Sequence, residues 1–213
     1  FPYLWIFGDG GTGYYPTYTG DTFLISGSGC IYGGGESDYD AVTTINLSNK
    51  SLTTDFTNVL KKFAELKVLQ LHINNISQIN TLFNTKLVQI RIADTLIDSI
   101  NVSNNVNLRV LNFSNCDFTE IDISNNINLF FISFFNNKLT NLNFAANPLL
   151  SNISIQDNEL TAAANSQLLI DLDGHGLSNG YFRSSIYGGG TLTTAGTTAK
   201  ANLQAKGWTI VGI

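Results

Sequence analysis

The chain has no methionine, three prolines, two cysteines and little charge, with Asp, Glu, Lys and Arg supplying only 13% of its 213 residues. That is about half the ~25% usual in soluble domains. Each shortage excludes something. Two cysteines cannot build a disulfide framework, and no cysteine pair stands at metal-ligand spacing. The 11 Lys and Arg are scattered along the sequence and outnumbered by 16 Asp and Glu, so the net charge of −5 provides no field to attract a phosphate backbone. Nucleic acid is not an expected partner. No apolar run approaches the ~20 residues needed to cross a bilayer, so membrane insertion is not expected either. The N-terminus lacks the basic, apolar and small-residue blocks of a secretory leader. With no methionine at position 1, the expectation is a processed or truncated product that has lost upstream residues and any targeting signal in them.

What is abundant is 43% apolar side chains, covered mainly by uncharged polar residues, 26 of them asparagine. The apolar residues are periodic. The pattern L-x-x-L-x-L-x-x-N-x-L reads Leu66, Leu69, Leu71, Asn74, Ile76, and recurs every 21 residues from Leu87, Leu108, Leu129 and Leu150. A first copy, Val42, Ile45, Leu47, Lys50, Leu52, lies 24 residues upstream. A second half-repeat follows, as in Phe118-Thr119-Glu120-Ile121-Asp122-Ile123-Ser124-Asn125-Asn126. One such unit is too small to bury its own apolar side chains, so equivalent positions must stack between neighbouring turns. The Leu-x-Leu alternation is that of a strand, with Leu69 and Leu71 inside and Gln70 outside. The Asn slot is a tight bend where a side-chain amide satisfies backbone groups. Asn74, Asn137 and Asn158 suit it, Thr95 and Cys116 are partial substitutes, and Lys50 marks an irregular first turn.

Over residues 42 to 165 this pattern resembles the leucine-rich repeat family, especially its short bacterial form. The resemblance implies a β-rich solenoid of about six 21-residue turns over 41–160, with a β cap over 1–40 and an α/β cap over 161–213. We expect a flat, narrow coil with β-structure on more than one side. In the C-terminal cap, helices are expected over Thr161–Leu172, stopped by Asp173-Gly174-His175-Gly176, and over Ala195–Lys206, with strands at Tyr181–Ile186 and Trp208–Val211. The stretch from Leu160 to Trp208 resembles a tail found after such repeats in proteins of Bacteroidetes and their phages. In the N-terminal cap, Trp5-Ile6-Phe7-Gly8-Asp9-Gly10 and Tyr18–Ile25 resemble part of a PKD-type β-sandwich, with Ile6 in place of the usual Asp.

The predicted outer positions form a grid with rows such as Val68, Gln70, His72; Gln89, Arg91, Ala93; Val110, Asn112, Ser114; and Phe131, Ser133, Phe135. Phe131 and Phe135 stand out because alternation turns them away from the core beside Val110. Aromatics among amides and hydroxyls suit a protein hot spot or sugar stacking. The candidate ligand-binding residues are Phe131, Phe135, Val110, Asn112, Arg91, Gln70 and His72. Other motifs carry less. His72 and His175 belong to no H-E-x-x-H motif, and Asp171, Asp173 and His175 lack the series of a calcium loop. Gly8–Gly13 lacks the Lys of a phosphate loop, and Cys30 and Cys116 read as free thiols. No nucleophile–base–orienter set or cofactor fingerprint emerges. The expected function is non-catalytic recognition of a protein or glycan, without cofactor or metal, outside the cell or on a virion. The alternative is an assembly part of a phage particle whose exposed apolar residues are subunit contacts.

Overall fold

The computed structural model describes residues 6–8, 22–25, 29–32, 43–53 and 60–213. Strands β1 (Ile6–Gly8), β2 (Thr22–Ile25) and β3 (Gly29–Tyr32) form an antiparallel sheet in the order β1-β3-β2. The rest of the PKD-like motif, Trp5, Asp9, Gly10 and Tyr18–Asp21, lies outside the described residues. So does the remainder of the glycine turn at Gly10–Gly13.

From residue 44 the chain winds as a parallel coil. Strands β4 (Thr44–Asn46), β5 (Val68–Gln70), β6 (Gln89–Arg91), β7 (Val110–Asn112), β8 (Phe131–Ser133) and β9 (Asn152–Ser154) are each three residues long. They pair side by side in sequence order and in strict register, so Ile45, Leu69, Ile90, Leu111, Ile132 and Ile153 make one column. Every residue of that column is buried. The ladder continues past each strand as Ile73 N–H bonds Ala93 O at 2.9 Å and Asn115 N–H bonds Phe135 O at 3.0 Å. It ends where the backbone turns left-handed, at Asn49, Ile73, Asp94, Asn115, Asn136 and Asp157, with φ between 54° and 58°. Asn and Asp tolerate that conformation; β-branched Ile73 does not without strain.

Behind the sheet the core is a pile of aliphatic and aromatic side chains. Phe113 stacks on Phe118 and Phe134, with ring centroids 5.2 and 5.8 Å apart. The expected β-structure on a second side is absent from the described residues. The returning half of each turn makes local bonds instead, such as Asn84 N–H to Thr81 O and Asn126 N–H to Ile123 O, both 2.9 Å. Between turns it makes single bonds, such as Lys138 N–H to Phe118 O, and no continuous ladder. The reason is a row of asparagines, described below, whose amides occupy the carbonyls there.

The C-terminal segment closes the coil. Helix α1 (Ala162–His175) starts on the Thr161 hydroxyl, which accepts the Ala164 N–H, and ends at Gly176 with φ 73°. It thus runs past the expected stop at Asp173, because Asp173 and Gly174 are tolerated in a helix and the left-handed cap needs Gly176. Strand β10 (Tyr181–Arg183), helix α2 (Thr194–Ala205) and strand β11 (Thr209–Val211) follow. Both strands extend the same parallel sheet, β10 against β9 and β11 against β10. The helices cross where small residues meet: a Cβ on Gly196 would fall 2.5 Å from Ser166. Trp208, buried, donates its indole N–H to Leu177 O at 2.8 Å and lies so close to Gly180 that a side chain there would overlap the ring.

Candidate functional site

The parallel register gathers every candidate residue onto the sheet side. Val110 pairs with Phe131 on adjoining rungs, and Gln70, Arg91, Asn112 and Ser133 form one row. His72 and Phe135 belong to the next row, three rungs apart, or about 14 Å at sheet spacing. The polar members are tied to one another. Asn112 Oδ1 accepts the Ser114 N–H at 3.1 Å, and the Ser48 hydroxyl lies 2.8 Å from His72 Nδ1. Arg91 is exposed, while Gln70, His72, Asn112 and Val110 are half-buried.

Two expectations for this face are corrected. Phe131 and Phe135 are half-buried rather than fully displayed, and three neighbours expected to face solvent, Ala93, Ser114 and Ser133, are buried. Ser114 and Ser133 are only 2% and 6% exposed, and their hydroxyls bond each other at 2.8 Å. Alternation does turn Ser133 outward, but it sits between two phenylalanines on the same face, and large neighbours shield a small one. The third ring is the open one: Phe130, 39% exposed, carries the Arg109 guanidinium 5.7 Å from its centroid.

Phe130 and Arg109 were missed because the grid begins one residue too late. Lys67, Val88, Arg109, Phe130 and Ser151 form their own column, as the bonds from Val88 N–H to Lys67 O, Arg109 N–H to Val88 O and Phe130 N–H to Arg109 O establish. Counting in steps of 21 from Lys67 would have found it. The same spacing gathers Lys67, Lys86, Val88, Asn107, Arg109, Asn128 and Leu149 around one shallow depression at the N-terminal edge of the strands. Cations that are scattered in sequence are thus adjacent in space.

Two asparagine rows tie the backbone of successive turns together. In the first, Asn137 Nδ2 donates to Phe113 O and Phe134 O at 2.8 and 3.0 Å while its Oδ1 accepts the Phe118 N–H. Thr95 and Cys116 stand in as anticipated, each donating to Ile92 O, at 3.0 and 3.4 Å. Lys50, in the irregular first turn, yields the role to Asn74, whose Oδ1 accepts from Lys50 N–H and Leu52 N–H. The second row, Asn84, Asn105, Asn126 and Asn147, is wholly buried, and each Nδ2 reaches two carbonyls of the preceding turn.

The described residues offer little for catalysis. They contain no cluster of three or more His, Cys, Asp or Glu able to hold a metal. Burial pushes the Cys116 thiol up, which suppresses the thiolate. Asp171 accepts from Gln167 and the Phe144 N–H, and Asp173 from Lys206 and Asn202, so the motif around His175 is structural. Burial works against the Asp173 carboxylate, but bonds from Asn202 and Lys206 and the Lys206 charge hold it below the usual range. None of the helices among the described residues is long and apolar enough to cross a membrane.

No family model and no curated protein matches the chain. Solved structures do. A leucine-rich repeat protein of Leptospira interrogans superposes with a TM-score of 0.69 at 17% identity, over 85% of this chain and 45% of its own. Internalin C2 of Listeria monocytogenes gives 0.59 at 18%, over 83% and 84%. The Listeria internalin InlF gives 0.60 at 17%, over 81% and 55%. The fold is a leucine-rich-repeat solenoid. These three structural neighbours are bacterial, and the chain spans less than half the length of the Leptospira protein. At these identities the likeness establishes the leucine-rich-repeat architecture, and function rests on the surface just described.

Proposed function

We propose that this solenoid is a non-catalytic recognition module that binds a protein through its sheet side, around Phe131, Phe135, Val110 and Arg91. One observation carries the reading: a parallel ladder holds the partly exposed rings of Phe131 and Phe135 and the exposed Arg91 on one side of the coil, residue types that dominate interface hot spots. A protein is favoured over a glycan because the Arg109 guanidinium covers a face of Phe130, the most open of the three neighbouring phenylalanines, and so competes with sugar stacking there. Display outside the cell or on a virion belongs to the same proposal. It draws on the phage-like tail and on the low charge of an Asn-rich surface.

The test is selection of binders from a displayed random-peptide library, followed by titration of the selected peptides against wild type and the double variant Phe131→Ser, Phe135→Ser. The variant should keep its circular dichroism and melting behaviour and lose at least tenfold in affinity, since each buried interface aromatic contributes about 1 kcal/mol or more. Unchanged affinity rejects the face. Sedimentation separates the assembly alternative: a monomer supports recognition, whereas a stable symmetric oligomer that dissociates on the double substitution makes these rings subunit contacts.

A further inference from the structure

The two sides of the coil differ in charge. On the strand side, residues 63–72, 84–93, 105–114, 126–135 and 147–156 carry Lys67, Lys86, Arg91 and Arg109 and a single carboxylate, Glu65. On the returning side, residues 73–83, 94–104, 115–125, 136–146 and 157–160 carry Asp94, Asp98, Asp117, Glu120, Asp122, Asp157 and Glu159 and one cation, Lys138. From residue 63 onward the turns therefore place four of their five cations on the strand side, whereas Lys50, Lys61 and Lys62 of the first turn lie outside these ranges. The strand-side cations are also polarised along the axis. Lys67, Lys86 and Arg109 surround the depression at its early rungs, with Val106 on the rung of Arg109, and the later rungs at the same edge present Ile127, Phe130 and Leu149, all exposed.

We propose that this edge, distinct from the Phe131–Phe135 face, is a docking groove for an extended acidic peptide segment of a partner protein. The carboxylates lie over Lys67 and Arg109 and compete with Glu65 for Lys86, and a bulky apolar side chain anchors against Ile127, Leu149 and the part of Phe130 that Arg109 leaves open. Charge complementarity names the occupant. The basic end attracts anions locally although the whole chain repels them, and the apolar end requires a ligand that is not uniformly charged. A polyanion such as heparin or nucleic acid meets only the first condition. The distance from Lys67 to Phe130 is three rungs, about 14 Å, which an extended chain covers in about four residues. The groove thus specifies Asp or Glu followed about four positions away by Leu, Ile, Phe or Trp. This inference rests on the reading of the chain as a protein-binding module but uses different residues.

The test uses the peptides selected from the displayed library. Those competing for the edge should pair an acidic end with an apolar residue at that spacing and should weaken as salt is raised. The triple variant Lys67→Gln, Lys86→Gln, Arg109→Gln alters exposed side chains only. It should reduce their affinity roughly tenfold, from surface pairs of about half a kcal/mol each. Lys67→Arg with Lys86→Arg should retain it, and Phe131→Ser with Phe135→Ser should leave it within a factor of about three. Selected peptides without acidic enrichment, equal binding by the triple variant, or tight binding of heparin with no acidic peptide recovered would each overturn the proposal. Peptides lost only on the Phe131/Phe135 substitution would overturn it while leaving the recognition face standing.

Discussion

The two asparagine rows face the same physical problem and solve it under different conditions. The first row lies just after the strands at slightly exposed positions and uses both ends of the amide, yet it survives interruption by Thr95 and Cys116. The second row uses the amide nitrogen at every position and the oxygen only at Asn105, yet it is unbroken over four described turns. The difference is access to water. At a position a few per cent exposed, solvent and relaxed geometry absorb a missing partner; at zero exposure two carbonyls would be orphaned together, and no hydroxyl or thiol reaches both. A buried position with two acceptors to satisfy is the more demanding one, whatever number of bonds each residue makes.

Asn126→Leu is the severest break of that contrast. It strips partners from Val102 O and Asn105 O and should cost about 3 kcal/mol in urea denaturation. Asn137→Thr, copying the substitution already present at position 95, should cost only about 1 kcal/mol. Equal losses would mean that burial does not explain the difference. The next effect is a gain: Ile73, the one β-branched residue among the six left-handed turns, should stabilise the fold by about 1 kcal/mol when replaced by Asn. A melting temperature at or below wild type would contradict the strain argument.

A smaller gain sharpens the second row itself. The Thr81 hydroxyl donates to Asn105 Oδ1 at 2.9 Å, whereas the acceptors of Asn126 and Asn147 face Val102 and Ile123 at the equivalent position and lack a protein partner. Val102→Thr adds the same donor at nearly the same volume and should contribute somewhat under 1 kcal/mol, read from the denaturation midpoint. The smallest effect concerns the cap. Because the folded Asp173 carboxyl titrates below its unfolded value, its contribution is fully present above the ordinary carboxylate range. It is lost as pH falls through the depressed folded value. Asp173→Asn should therefore flatten the acid limb of the stability curve below about pH 4, with little change at neutrality beyond the lost ion pair. An acid limb as steep as that of wild type would show that another carboxylate governs it.

Much of the solenoid was legible because one rung is copied. The core column, the strand positions and the first asparagine row each follow from residues that repeat at 21, and Thr95 and Cys116 could be recognised as replacements within an aligned slot. The second row stood in the same alignment, at Asn105, Asn126 and Asn147, but its role was not legible. Whether an amide faces solvent or dry carbonyls depends on how the returning chain bends, and that bend is set by contacts between turns. The same limit applied to the face. Alternation correctly turned Phe131 and Phe135 outward, and it could not show that Ser133 would be covered between them.

The linear order of amino acids therefore dictated the pitch, the inward columns and the stacking direction, since apolar side chains at a constant interval have only one way to leave water together. Which outward residues become neighbours was settled by winding. Lys67, Lys86 and Arg109 are separated by many residues along the chain and share one depression only because each turn of backbone hydrogen bonds advances the coil by a single strand width.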